Sequence, residues 1–292
     1  MRPPAPPVTP VSYTPSVPFH GAAADRILAG MSLVRSEHVD GLAILTLDNP
    51  PANCYSYELM KALDAAVLAA RFDPEVHVIV IESAGSKFFC AGADISMLQG
   101  ADPYFKYNFC LHANETLSRL EQTSKLVICA IDGHCVGGGL EVAMAADLRI
   151  ARAGSGKCGL PEVKLGVLPG TGGTQRLVRV VGKARAIELM AEGDTFDFAR
   201  GEALGLINQV WEEEPEAFRT RVLEYAKRFT PPHTAARAVG LIKRACQTGA
   251  DLSLQDGLAL ERELQQRLFE GEDAREGLAA YNEKRKPQFS GR

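Results

Sequence analysis

The chain has 292 residues, 46% of them hydrophobic, and a formal net charge of −4. That length allows one large domain or a domain with an appendage, and the apolar content suffices for a sizeable core. The acidic balance argues against bulk-charge binding to nucleic acid or to an anionic membrane, leaving LVRVVGKAR and EKRK as local basic candidates.

Residues 1–30 hold seven prolines between positions 3 and 18, and Arg2, Asp25 and Arg26 are the charged residues there. This composition predicts a disordered, Pro-rich leader. It has neither the basic n-region and continuous apolar h-region of a secretory signal nor the arginines of a mitochondrial transit peptide. Met31 is a candidate start of the folded protein. No apolar run reaches the length of a membrane span, so no membrane association is expected.

Next, LVRSEHVDGLAILTLDNP reads as two strands around an Asp40–Gly41 hairpin turn. Asn49–Pro50–Pro51–Ala52–Asn53 is a rigid loop, and Ser56 caps a helix over Tyr57 to Arg71, with an apolar face at Leu59, Met60, Leu63, Val67 and Leu68. Asp73–Pro74 ends it, and Val76 to Ile81 is a buried strand. GSKFFCAGADISML then runs strand, glycine loop, helix start near Asp94, and residues 103–122 form a long helix with Tyr104, Phe105, Tyr107 and Phe109.

The stretch from Cys129 to Gly173 repeats that plan more strongly. Leu126 to Ile131 is an apolar strand, Gly137, Gly138 and Gly139 follow, and LEVAMAA is a good helix former. A strand that turns through glycines into a helix N-terminus presents free N–H groups and the positive end of the helix dipole. Glu141 lies in the first helical turn, and Glu162 lies in GLPE ahead of the glycine-rich loop 166–173. An idle charge in a helix as apolar as LEVAMAA would be costly, which marks Glu141 as functional. Two carboxylates beside an oxyanion site suit proton transfer next to a carbonyl. The PGTGG loop lacks GK[ST] and fails GxGxxG at Gln175, and Gly154–Ser155–Gly156 is no nucleophile elbow. His134 and Cys135 are read as structural, because adjacent strand residues point to opposite faces.

Leu148 to Ala151 and Lys157 to Leu160 read as further strands. TQRLVRVVG, KARAIELMAEG and FDFARGEALG are helical pieces closed by glycine, Leu206 to Val210 reads as a last strand, and helices follow over about 216–228, 233–248, 254–270 and 272–283. The seven cysteines contain no CxxC and mostly occupy apolar segments, which favours reduced, buried thiols over disulfides. The six histidines show no HExxH or HxH spacing, so no metal is expected.

LDNPPANCYS, KFFCAGADISML, AIDGHCVGGGLEVAMAADLRIA, GLPEVKLGVLPGTGGTQRL, ALGLINQV and EKRKPQF occur in this order. On these motifs the chain, from about Ser32 onward, resembles the crotonase (enoyl-CoA hydratase/isomerase) superfamily. The resemblance implies an α/β fold, a spiral of ββα units over 31–228 with a C-terminal helical trimerisation region over 229–292. It implies an acyl-CoA thioester as substrate, with CoA part of the substrate and no separate cofactor. It implies an oxyanion hole from the N–H groups of Ala93 and Gly138, Glu141 and Glu162 as the catalytic pair, and Gly170 orienting the water. Ala91, Gly92, Asp94 and Lys284 match CoA-binding positions, and Tyr55, Met97 and Leu98 match the acyl pocket. This sequence departs from the usual pattern at Ser96, where many hydratases carry Lys, and at Cys54–Tyr55, where Ala–Leu is usual.

With both glutamates kept, the implied activity is enoyl-CoA hydration, a hydro-lyase reaction of fatty-acid metabolism. The alternatives are a double-bond isomerase or a hydratase for a branched or aromatic acyl-CoA such as 3-methylglutaconyl-CoA, and a non-catalytic RNA-binding or scaffold member of the fold. A homotrimer or dimer of trimers is expected, in the cytoplasm or, alternatively, the mitochondrial matrix.

Overall fold

Asp40 and Gly41 both adopt positive φ (51° and 79°) and close the first hairpin, pairing β1 (Val34–Val39) with β2 (Leu42–Leu47) in antiparallel register. The computed structural model describes residues 33–292; the expected leader and Met31 lie outside them. From here the chain lays down strand pairs whose members divide between two sheets. β3 (Val78–Ser83), β5 (Leu126–Ile131) and β7 (Leu148–Arg152) join the larger sheet in parallel. Their successors β4 (Phe88–Cys90), β6 (His134–Val136) and β8 (Lys157–Gly159) run parallel in a smaller one. β9 (Phe196–Asp197) closes the smaller sheet antiparallel to β8, and β10 (Gln209–Trp211) adds to the larger one beside β7. The orders are β1-β2-β3-β5-β7-β10 and β4-β6-β8-β9. Each turn of the spiral is therefore a strand in each sheet followed by a helix, the repeated ββα plan.

β2, β3 and β5 are nearly continuous runs of buried apolar residues because both faces of the large sheet are covered. Alternate residues sort accordingly. Leu45, Ile79, Ile81, Cys129 and Ile131 face a core shared with α1 (Tyr57–Phe72) and α3 (Pro103–Gln122). Ile44, Val78, Val80 and Ile128 face α8 (Pro215–Lys227), which the chain reaches after α2 (Ile95–Gln99), α4 (Gly138–Met144), α5 (Gly173–Val181), α6 (Lys183–Glu192) and α7 (Phe198–Ala203). α9 (Ala236–Gly249), α10 (Leu254–Phe269) and α11 (Glu272–Glu283) complete the chain. Lys243 of α9 reaches into the core, donating to the carbonyls of Leu120 and Lys125 and pairing with Asp147 at 2.8 Å. Residues 33–292 form one compact unit.

Ser56 accepts from the Leu59 N–H as its sequence context predicts, and α3 spans the expected residues. Two strands differ. The run read as Val76 to Ile81 pairs over Val78–Ser83, because His77 and Val78 first donate to the Gly41 carbonyl. The run read as Leu206 to Val210 contributes only from Gln209. Leu206 and Ile207 are buried apolar residues, but their N–H groups both donate to the Gly201 carbonyl and close the end of α7. Among the described residues all cysteines are free thiols; Cys90, Cys129, Cys135 and Cys158 are buried, and burial pushes their pKa values up. No helix among the described residues is long and apolar enough to cross a membrane.

Candidate active site

β4, β6 and β8 are mutually parallel neighbours in the smaller sheet, so their C-terminal ends lie side by side. The loop 91–94 leaves the end of β4, the glycines 137–139 leave the end of β6, and Glu162 follows β8 at the start of a 3-10 turn, Glu162–Leu165. Sheet order thus collects segments that are far apart in sequence, at the edge where open α/β sheets bind ligands.

Tyr55 and Ala93 form a parallel bridge in which Tyr55 N donates to the Gly92 carbonyl (2.9 Å) and Asp94 N donates to the Tyr55 carbonyl (3.1 Å). That pattern uses the peptides on either side of Ala93 and turns the Ala93 N–H away from Tyr55. Gly138 is the first residue of α4, where an amide has no intrahelical acceptor. The two segments touch: a Cβ on Gly92 would lie 3.2 Å from the Val136 carbonyl oxygen and 3.4 Å from Gly138 N. Gly137 turns the chain at φ 54°, ψ −131°, a conformation that side chains disfavour, and a Cβ there would stand 2.9 Å from Glu162 Oε1.

Glu141 is 1% exposed and accepts three hydrogen bonds from the protein. Its Oε1 accepts from Thr171 N (2.8 Å) and Gly173 N (2.7 Å), and its Oε2 accepts from the Thr171 hydroxyl. Arg176 fixes the same loop, donating from Nη1 to the Thr171 carbonyl (3.2 Å) while its guanidinium holds Glu121 at 2.9 and 2.7 Å. Glu162 differs: its Oε2 is buried and has no hydrogen-bond partner within the protein. Burial pushes its carboxyl up to about 7, helped by the Glu141 charge and opposed by a backbone hydrogen bond and by Lys106. Two carboxylates at one site thus have different environments, one accepting from three protein donors and one poised to exchange a proton near neutrality.

The other expected residues are placed as follows. Gly170 borders the Glu141-binding loop, and a Cβ on it would lie 3.2 Å from Cys110 Sγ. Ala91 N donates to the Ala52 carbonyl, and Asp94 spends its carboxylate capping α2, accepting from Ser96 N and Met97 N. Met97 and Leu98 are half-buried against the core beside Ala93. Tyr55 is 3% exposed, with its ring stacked on Phe109 at 5.5 Å. Lys284 stands in the left-handed conformation at the end of α11, where its N–H donates to the Tyr281 carbonyl. Thr171 and Arg176 escaped the sequence reading, although Thr171 is the one polar side chain in the PGTGG loop. A cavity of about 960 Å³ between α3, α5 and α9 meets this site through Pro169, Gly170, Gly172 and Arg176 and is lined by neither Glu141 nor Glu162.

The sequence model of the enoyl-CoA hydratase/isomerase family matches residues 37–292. The chain belongs to the enoyl-CoA hydratase/isomerase family. A Mycobacterium tuberculosis protein named probable enoyl-CoA hydratase is 38% identical over 252 residues, 86% of this chain and 95% of that protein. The mitochondrial methylglutaconyl-CoA hydratase of Rattus norvegicus is 37% identical over 241 residues, 82% of this chain and 76% of that protein. The crystal structure of an enoyl-CoA hydratase from Geobacillus kaustophilus HTA426 is similar with a TM-score of 0.87 at 42% identity, over 90% of this chain and 98% of that one. The ββα spiral and the C-terminal helices are thus those of the family, and the acyl-CoA thioester is the substrate class to which the site geometry must answer.

Proposed function

We propose that the protein is an enoyl-CoA hydratase that adds water across the 2,3-double bond of an acyl-CoA thioester. The unequal pair Glu141 and Glu162, set beside the Ala93 and Gly138 amides, carries the reading. The thioester oxygen accepts from both amides, which stabilise the negative charge that develops there as water attacks C3; a single such donor is worth ~10²–10³ in rate. An ionised carboxylate has about four lone-pair positions, and Glu141 has three of them filled by the protein. The fourth holds the water. Glu162 gives the proton to C2 and takes one from the water, a task suited to a carboxyl that titrates at about 7. The Gly170 N–H orients the water.

Ala91, Gly92 and Lys284 contact CoA, with Lys284 reaching the site of a neighbouring subunit. A trimer or dimer of trimers supplies that neighbour, consistent with the exposed apolar side chains Leu254, Phe269, Leu278 and Tyr281 on α10 and α11. A second reading, hydration of a branched enoyl-CoA, is favoured by the likeness to the methylglutaconyl-CoA hydratase and by the aromatic wall of Tyr55, Phe109 and Phe105. Loss of the conjugated enoyl-thioester absorbance, followed across crotonyl-, 3-methylglutaconyl- and aromatic enoyl-CoAs, separates these. Absence of turnover on every member would overturn the hydratase reading.

A further inference from the structure

Tyr55 touches three parts of the site at once. Its backbone is bridged to the Ala93 segment, its ring lies where a Cβ on Gly138 would overlap Cε1, and its hydroxyl is 3.2 Å from Thr171 Oγ1. The ring is held by stacking on Phe109, which stacks in turn on Phe105 at 6.2 Å. The direction of the hydroxyl contact follows from proton counting. Thr171 has a single hydroxyl proton, and it is given to Glu141 Oε2. Tyr55 is therefore the donor to Thr171. Burial, together with the Glu141 charge, pushes the phenol pKa well above its ordinary value, so the donated proton stays in place.

We infer that Tyr55 is a positioning residue: through the chain Tyr55 O–H, Thr171 O–H, Glu141 carboxylate it fixes the acceptor that holds the attacking water. The inference rests on the hydratase reading of the site. Thr171 N and Gly173 N anchor one carboxylate oxygen, and the hydroxyl chain anchors the other. Together they stop the carboxylate from rotating and direct its one free lone pair. Donor chains of this kind strengthen one another, because each polarised hydroxyl is a better donor to the next group. The same ring fills the space over Gly138, so the hydroxyl and the oxyanion donor are set by one rigid side chain.

The test is a cycle of Tyr55→Phe, Thr171→Val and the double variant, with Thr171→Ser as the conservative control. kcat and KM on crotonyl-CoA and the urea unfolding midpoint are measured for each. Thr171→Val is expected to lower kcat by about tenfold, the worth of one hydrogen bond to a charge, with KM little changed. Thr171→Ser retains near-wild-type kcat. Tyr55→Phe, which keeps the ring, lowers kcat a few-fold, and the double variant is no slower than Thr171→Val alone, because both changes break one chain. Tyr55→Phe with wild-type kcat, or losses that multiply in the double variant, would overturn the inference. If the wild-type protein turns over no enoyl-CoA, the hydratase reading is what fails. The unfolding midpoints then decide the hydroxyl chain: a double variant no less stable than Thr171→Val supports it, and additive losses refute it.

Discussion

Glu162→Gln separates stability from activity. In the folded protein the carboxyl titrates at about 7 against an ordinary value of 4.5, because burial leaves Oε2 without a partner and Glu141 lies nearby. A raised carboxyl pKa means that the native state holds its proton more tightly than the unfolded chain does. The sign follows: below about pH 4.5 both states are protonated and the group is neutral in effect, between about 4.5 and 7 ionisation increasingly favours unfolding, and above about 7 the full penalty is present. At 1.36 kcal/mol per unit the ceiling is about 3.4 kcal/mol. The side chain is half-exposed, so screening reduces this to roughly 1–2 kcal/mol, and the desolvated amide of glutamine takes back part of the gain. A net gain near 1 kcal/mol corresponds to about 2–4 °C in Tm for a chain of this size. Thermal unfolding of wild type and variant at about pH 5 and about pH 8.5 gives the assay, with the variant's advantage confined to the higher pH. Hydration by the same variant should fall by ~10²–10⁴. A variant less stable than wild type at the higher pH, or an offset equal at both, would refute the burial argument.

Gly138→Ala places a Cβ on the Tyr55 ring; the ring must move, the fold is expected to lose about 1–3 kcal/mol in denaturant unfolding, and turnover should fall with it. Glu141→Gln puts an amide NH₂ where the protein supplies only donors, so hydration should be lost and stability should drop by roughly 1–3 kcal/mol. Lys243→Met takes the paired ammonium from the buried Asp147 carboxylate, leaving it the Val127 N–H and the nearby Arg149 charge, and about 3–5 kcal/mol of unfolding free energy should disappear; wild-type stability would contradict it.

Local features were readable where local chemistry decides them. The Asp40–Gly41 turn needs two positive φ values, Ser56 needs only the amide three residues on, and α3 begins at the Asp102–Pro103 step, where Asp102 accepts from Phe105 N. The motif order marked the 91–94 and 137–141 loops and Glu162 for the same reason, since glycine turns and helix starts are written locally. The Leu206 to Val210 run is decided instead by its backbone hydrogen bonds. Hydrophobicity reports burial, and Leu206 and Ile207 are buried, but pairing with β7 requires free amides, and theirs are taken by Gly201.

The sequence by itself determined the ββα units, the glycine turns and the placing of Glu141 and Glu162 next to such turns, because each depends on neighbours a few residues away. Only the tertiary structure decided that β4, β6 and β8 lie side by side and so bring those turns to one edge. It also decided the partner of Tyr55, a hydroxyl 116 residues away, and the contrast between Glu141, held by three donors, and Glu162, whose buried Oε2 has none. Sheet order and burial are properties of the whole packed chain, and the raised pKa of the Glu162 carboxyl arises from them and not from the group itself.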